Sequence, residues 1–228
     1  MSALLEPVFG PFYSNVIGTL VNATQWTIYL SLTAFIGGGL IGLLFTILKI
    51  SPIGWLRKVA TGYIWLFQAI PLLMLLFLIG LGIPSFFHIS VAPWVAASVS
   101  LTLFTSAYMS EVWRGALESV AKGQWEGGRA LGLTFGEILW FIVSPQALRI
   151  ATPPTVGFMV QVIKGTSMAY IIDYNDLMRW GKKIANSQLD GAEPYIIYPM
   201  VALIYFCLCF PLSKWSKSLE KKMATRSR

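Results

Sequence analysis

Few side chains in this sequence are equipped for chemistry, and those that are fall into two groups. The first runs from Arg114 through Gln124 and Glu126 to Gly132, followed by Ile142 and Pro145, in the pattern E-x5-G-x9-I-x-x-P. It is a polar island between long apolar runs. Such an island sits at a membrane surface, where something outside the bilayer can grip it. Its chemistry is docking, and Glu126 is one of the charges it offers. The second group, Gln68, Pro71, Gln161, Lys164, Thr166 and Ser167, lies inside apolar runs. Polar groups at membrane depth are expensive and face a bundle interior or a water-filled path, so they suit contact with a polar solute.

The elements that must position these residues follow from composition. Hydrophobic residues make up 56% of the 228 and charged ones 12%, against roughly 25% charged in ordinary soluble domains. Mean hydropathy is +0.66. Several apolar runs exceed the ~20 residues a helix needs to cross the ~30 Å hydrocarbon core. Lipid offers the backbone no hydrogen-bond partners, and the runs are too long and uniform for barrel strands. The fold is therefore all-α and polytopic, a single transmembrane domain over 1–228. Five spans are predicted near 19–48, 57–82, 92–113, 147–172 and 195–215, with a long loop at 114–146. Lys49, Ser51, Pro52 and Gly54 break the first from the second, Gly82 and Pro84 end the second, and the polar stretch 173–193 separates the last two.

Charge sets the orientation. With the N-terminus outside and the C-terminus in the cytoplasm, the cytoplasmic segments hold Lys49, Arg57, Lys58, Arg114, Lys122, Arg129, Arg149 and the six basic residues of 214–228. That leaves Arg179, Lys182 and Lys183 outside, offset by Asp173, Asp176, Asp190 and Glu193, with Lys164 inside the fourth span. This satisfies the positive-inside rule and the reverse arrangement violates it. The net charge of +7 thus reports orientation rather than nucleic-acid binding, and the basic tail reads as an anchor on anionic membrane lipid. The first 16 residues lack Lys, Arg and a cleavage pattern, so no removable signal peptide is expected. Cys207 and Cys209 point to different helix faces and serve as packing residues, and the single His88 makes no metal site. No G-x-x-x-x-G-K-[ST] loop is present to hydrolyse ATP, so the chain is not read as an enzyme.

From Ala107 to Gly132 the chain resembles A-Y-x-x-E-x-x-R-G-A-L-x-S-V-x-x-G-Q-x-E-A-A, the cytoplasmic coupling loop of polar amino acid ABC-importer permeases of type I. Residues 67–73 resemble that family's F-R-G-T-P-L-L, with Gln68, Ala69 and Ile70 departing, and 164–168 resemble K-D-T-S-L, with Gly165 for the acid. Gly127 and Gly128 stand where the family usually has Ala-Ala, at up to ~1 kcal/mol of helix propensity each, and Ser144 replaces the usual Leu before Pro145.

The resemblance implies a permease subunit in the bacterial inner membrane that moves a polar amino acid by alternating access. It implies that a helix over 122–132 couples the chain to two separate ATPase subunits, which carry the ATP and Mg; this chain needs no cofactor of its own. A second permease copy or paralogue and a solute-binding protein complete the assembly. Residues 122–131 are expected to be helical with Gly132 ending the helix, and Glu126 near its N-terminus benefits from the macrodipole. Pro71 is expected to kink the second span. Gly157, Gln161, Lys164 and Met168 share one face of the fourth. Lys164 either lines the path, pairs with a carboxylate or snorkels. Ser100, Thr102, Thr105 and Ser106 read as helix-packing residues. Relatives that carry cationic amino acids often have an Asn-Glu pair where Gly157 and Phe158 stand, so a neutral or acidic cargo is expected. Alternatives are an amino-acid derivative such as an opine as cargo, a self-sufficient secondary transporter, and a non-transporting scaffold.

Overall fold

The computed structural model describes residues 2–187 and 193–226, with side chains over 11–187 and 193–223. Asp190 and Arg228 of the charge tally lie outside the described residues. Every regular element among them is helical. Helix α1, Ser2–Ile50, has no proline after Pro11 until Pro52, just beyond its end. Helix α2, Gly54–Ala69, stops ahead of Pro71, whose ψ of 138° is not helical, and α3 restarts at Leu72–Phe77. The expected kink is therefore a full interruption. Proline has no N–H for the ladder, and it pushes the residue before it out of the helical region. A π-helical turn, Leu78–Gly82, leads into α4, Ile83–Phe87, which ends where His88 turns left-handed at φ 52°.

Helix α5 covers Pro93–Glu118 and α6 covers Lys122–Ala130. Short α7, Phe135–Glu137, runs into a second π-helical stretch, Ile138–Val143, and then into α8, Ser144–Thr166. A 3-10 turn over Ser167–Ile172 extends that run until Asp173 turns left-handed at φ 67°. Helices α9, Leu177–Ala185, and α10, Pro194–Arg226, follow.

Three stretches are long and apolar enough to cross a membrane, Pro11–Ile50, Phe135–Ile172 and Pro194–Met223, and the pair Gly54–Ala69 with Leu72–Phe87 makes a fourth if it is one span. The predicted third span falls on α5, which is long enough but carries Ser98, Ser100, Thr102, Thr105, Ser106 and Ser110 and is correspondingly more polar.

The chain divides into two compact units. The first is built from residues up to Phe35, Ile70–Thr102 and Gln161–Pro211. Its core joins Val16, Leu20, Leu177, Ala185, Ile197 and Val201. The Tyr174 hydroxyl donates to the Trp26 carbonyl at 3.0 Å, and the Leu177 N–H donates to the Thr27 hydroxyl at 3.1 Å, which ties α9 to α1. The second unit is built from Ile36–Ala69, Leu103–Val160 and the chain from Leu212 on. One of its clusters joins Ala116, Val120, Ile138, Val143, Ala147 and Ala151, flanked by Trp113, Leu117, Trp125 and Leu133. Thr46 Oγ1 donates to the Gly42 carbonyl at 2.8 Å and lies 3.3 Å from the Ser110 carbonyl, joining α1 to α5.

Candidate functional site

In the second unit α6 is almost bare. Gln124, Glu126, Gly127 and Arg129 are exposed, and Gly128 is the one residue of the helix that is buried. A Cβ at position 128 would lie 2.7 Å from Ile138 Cγ1, so glycine is what lets the helix close on the π-helical stretch. Nothing lies near a Cβ at Gly127, and the structure gives no reason for glycine there. The far end is a Schellman cap. Gly132, at φ 76°, donates to the Arg129 carbonyl at 2.9 Å and Leu133 donates to Gly128 at 3.1 Å. Residue 132 thus ends the helix as expected. Glu126, expected near the N-terminus, is instead the fifth residue of nine, beyond the reach of the macrodipole's first turn.

The remaining contacts fix α6 in place. Trp125 stacks on Phe135 with ring centroids 5.8 Å apart, and Gln146 Nε2 donates to Gln124 Oε1 at 3.2 Å. The next segment starts with a capping box. The Glu137 carboxylate accepts the Thr134 N–H at 2.8 Å and the Thr134 hydroxyl at 2.7 Å. Pro145 lies exposed in the first turn of α8, directly after the π-helical stretch. Its missing N–H leaves the helix one hydrogen bond short at the point where the wider turn ends.

Arg114 is already engaged within its own chain. Its guanidinium donates to Glu111 Oε2 from Nε at 2.9 Å and from Nη2 at 2.7 Å, and it also pairs with Glu118. Glu111 in turn pairs with Lys49. This ladder locks the end of α1 to the end of α5, and Trp113 Nε1 donates to Thr155 Oγ1 at 2.9 Å to bind α5 to α8. Sequence reasoning missed Lys49 and Glu111, which are 62 residues apart. The available signal was that opposite charges end two spans on the same predicted face.

Gln68 is half-buried on α2, and its Nε2 reaches the Ala107 carbonyl at 3.4 Å; nearby, the Tyr63 and Ser106 hydroxyls are 2.6 Å apart. In the first unit, Gln161, Lys164 and Met168 are exposed along one helical face. Among the described residues no carboxylate forms an ion pair with Lys164. Gly157, expected on that face, lies half-buried with a would-be Cβ 3.3 Å from Ser216 Oγ. Thr166 is fully buried and donates to the Ile163 carbonyl at 2.7 Å, and Ser167 donates to the Lys164 carbonyl at 2.7 Å. Both hydroxyls are turned back onto their own helix. A Cβ at Gly165 would meet Leu72 Cδ2 at 3.0 Å, which brings the corner after Pro71 against the turn after Lys164. That corner explains why a small residue stands at 165.

One buried carboxylate escaped the sequence. Asp176 is fully buried, caps α9 by accepting the Arg179 N–H at 2.9 Å, and lies 3.3 Å from the Tyr205 hydroxyl. Burial pushes its pKa up to about 6.

Residues 38–225 match the family profile of the binding-protein-dependent transport system inner membrane component. The chain is 33% identical to the L-cystine transport system permease protein TcyB of Bacillus subtilis over 96% of its own length and 90% of that protein's. With the glutamine transport system permease protein GlnP of Escherichia coli K12 it shares 31% identity, covering 91% and 94%. Among solved structures, an amino acid ABC transporter crystallised with histidines matches with a TM-score of 0.83 at 27% identity, over 90% of this chain and 94% of that one. The MetNI methionine ABC transporter in an inward-facing form matches with a TM-score of 0.66 at 16% identity, a likeness of fold alone.

Proposed function

Because this chain belongs to the family of binding-protein-dependent transport system inner membrane components, as the permease component of amino-acid ABC importers, we propose that it carries a polar amino acid across the bacterial inner membrane by alternating access. Helix α6 is the surface on which an ATPase subunit pulls. The observation that carries this is its one-sided packing. Gly128, Trp125 and Gln124 fix the helix to its own chain, while Glu126 is left exposed. A charged helix whose open side meets no other element among the described residues is what a separate subunit needs in order to push and pull on the bundle.

Two ATPase subunits supply ATP and Mg from the cytoplasmic side. A second copy of this chain or a paralogue completes the path, and a solute-binding protein delivers cargo from outside, where the N-terminus lies. ATP binding reorients the path because the assembled ATPases favour one of two permease states over the other. The ladder from Lys49 to Glu118 makes Arg114 a positioning residue, which keeps the ends of α1 and α5 moving together. The exposed face of Gln161 and Lys164 lines the path. With Phe158 half-buried near Tyr108 and, among the described residues, no carboxylate paired to Lys164, the cargo is a neutral or acidic amino acid.

The test is recovery of the complex. A tagged chain extracted in mild detergent should bring a stoichiometric ATPase with it, and Glu126→Lys should release that ATPase while the permease stays membrane-inserted. A wild-type chain that purifies alone overturns the reading. Uptake competition by arginine or lysine as strong as that by glutamine or glutamate removes the substrate assignment.

A further inference from the structure

Within the second unit an apolar groove of about 550 Å³ runs between the ends of α1 and α5 and the helical run that follows α6. Leu43 and Ile47 form one wall, Trp113 another, and Trp140, Ser144 and Leu148 the third. Trp140 and Leu148 are 66% and 71% exposed, so the groove is open along that rim. Of the polar groups around it, the Trp113 N–H goes to Thr155 and Thr46 to the Gly42 carbonyl, which leaves the single hydroxyl of Ser144 on an otherwise apolar lining. Such a lining suits hydrocarbon.

We propose that this groove binds one acyl chain of an anionic phospholipid from the leaflet on the coupling-helix side, which is the cytoplasmic leaflet on the reading given above. Depth supports this. Leu43 lies seven residues before the end of α1 at Ile50, about 10 Å at 1.5 Å per residue, and half of a ~30 Å hydrocarbon core is about 15 Å. Size supports it too. A methylene takes close to the ~30 Å³ of a water molecule, so about 550 Å³ holds one acyl chain, whereas a helix ~10–12 Å across needs more room over the same depth. Arg149, exposed and next to Leu148, supplies the charge for an anionic headgroup at the rim.

The groove also gives Ser144 a meaning. Ser144 lines it with one of the smallest side chains of its wall. The smaller side chain opens space that a leucine would occupy. Lipid tails are as apolar as the groove, so affinity comes from filling shape rather than from the hydrophobic effect. Occupancy is therefore sensitive to the bulk of a single side chain.

The experiment uses the tagged complex in vesicles of phosphatidylethanolamine and phosphatidylglycerol, with a phosphatidylglycerol bearing a diazirine in its acyl tail. Photolysis and peptide mapping should place adducts on Leu43, Trp140 and Leu148. Ser144→Leu should cut them at least about fivefold by filling the space. Leu43→Trp, which fills the groove from the opposite wall, should do the same and covers the case in which Ser144→Leu fails to fold. Three results overturn the proposal: labelling no heavier than at exposed Trp65 on α2, labelling indifferent to both fillings, or a cross-link from a second permease chain in place of lipid. The adduct needs no transport activity, so loss of the ATPase during purification would sink the importer reading and still leave the lipid result legible.

Discussion

Helices α6 and α9 are each nine residues long, and they are built in opposite ways. Helix α9 opens on a buried aspartate cap and inserts Leu177, Gly181 and Ala185 into the core of its unit. Helix α6 opens on Ala121 without a side-chain cap and buries only a glycine. Neither length is stable alone in water, so each must be held by something else. Helix α9 is held by its own fold. Helix α6 is held along one edge, and the rest of its surface is exposed, which is the surface proposed above to meet a separate subunit. The contrast sets a helix built into its unit against one left open, and the proposed division between stability and contact can be tested from both ends.

The largest effect should come from Glu126→Lys. Reversing a charge in a docking surface costs about 2–4 kcal/mol of affinity, so ATP-driven uptake should fall more than about tenfold with the chain still inserted. Uptake at the wild-type rate would erase the distinction between the two helices. On the proposal that the intramembrane charge serves the path rather than docking, Lys164→Met should lower uptake at least about tenfold, or ~1.4 kcal/mol, with the ATPase still bound.

On the α9 side, Gly181→Ala would put a Cβ 2.5 Å from Val201 Cγ2. Overpacking of that kind costs about 1–3 kcal/mol and should appear as a lower thermal midpoint of the purified complex with docking unchanged. Asp176→Asn sharpens the same point through pH. The folded pKa of about 6 lies above the unfolded 3.8, so the folded state holds the proton more tightly and stability from this group declines as pH rises from about 4 to about 6. Asparagine caps as well but does not titrate. The variant should remove that decline and gain about 1–2 kcal/mol at pH 7, read from thermal midpoints across the range. Gly128→Ala should have the smallest effect. Its clash with Ile138 Cγ1 is partly offset by better helix propensity, leaving about 1 kcal/mol, read as a small fall in the thermal midpoint of the purified complex.

What could be read in the sequence was what acts locally. Pro52, Pro71 and Gly132 punctuate helices through their own backbones, and all three do so here. Even so, Pro71 interrupts its helix outright, because the structure gives the freed turn a place to pack at Gly165. The rest depended on contacts across the chain. Gly128 looked like a weakness until Ile138 was found against it, ten residues on. The Lys49 to Glu111 pair and the Asp176 to Tyr205 contact join residues too distant for any period to reveal. The π-helical stretches are invisible to a 3.6-residue pattern, which treats their extra residue as noise.

That extra residue turns a loop into a ruler. Between Gly132 and Pro145 the chain consists of a capping box and the π-helical stretch Ile138–Val143, with no slack to take up an insertion. Each residue of helix turns the chain by about 100°. Deleting one from the stretch would swing Ala147 and Ala151 away from Ala116 and Val120, opening the cluster that carries α6. The spacing of nine residues before Ile142 is therefore a measured length, and a gap placed there by chance in a relative would be a change of gearing rather than a trimmed loop.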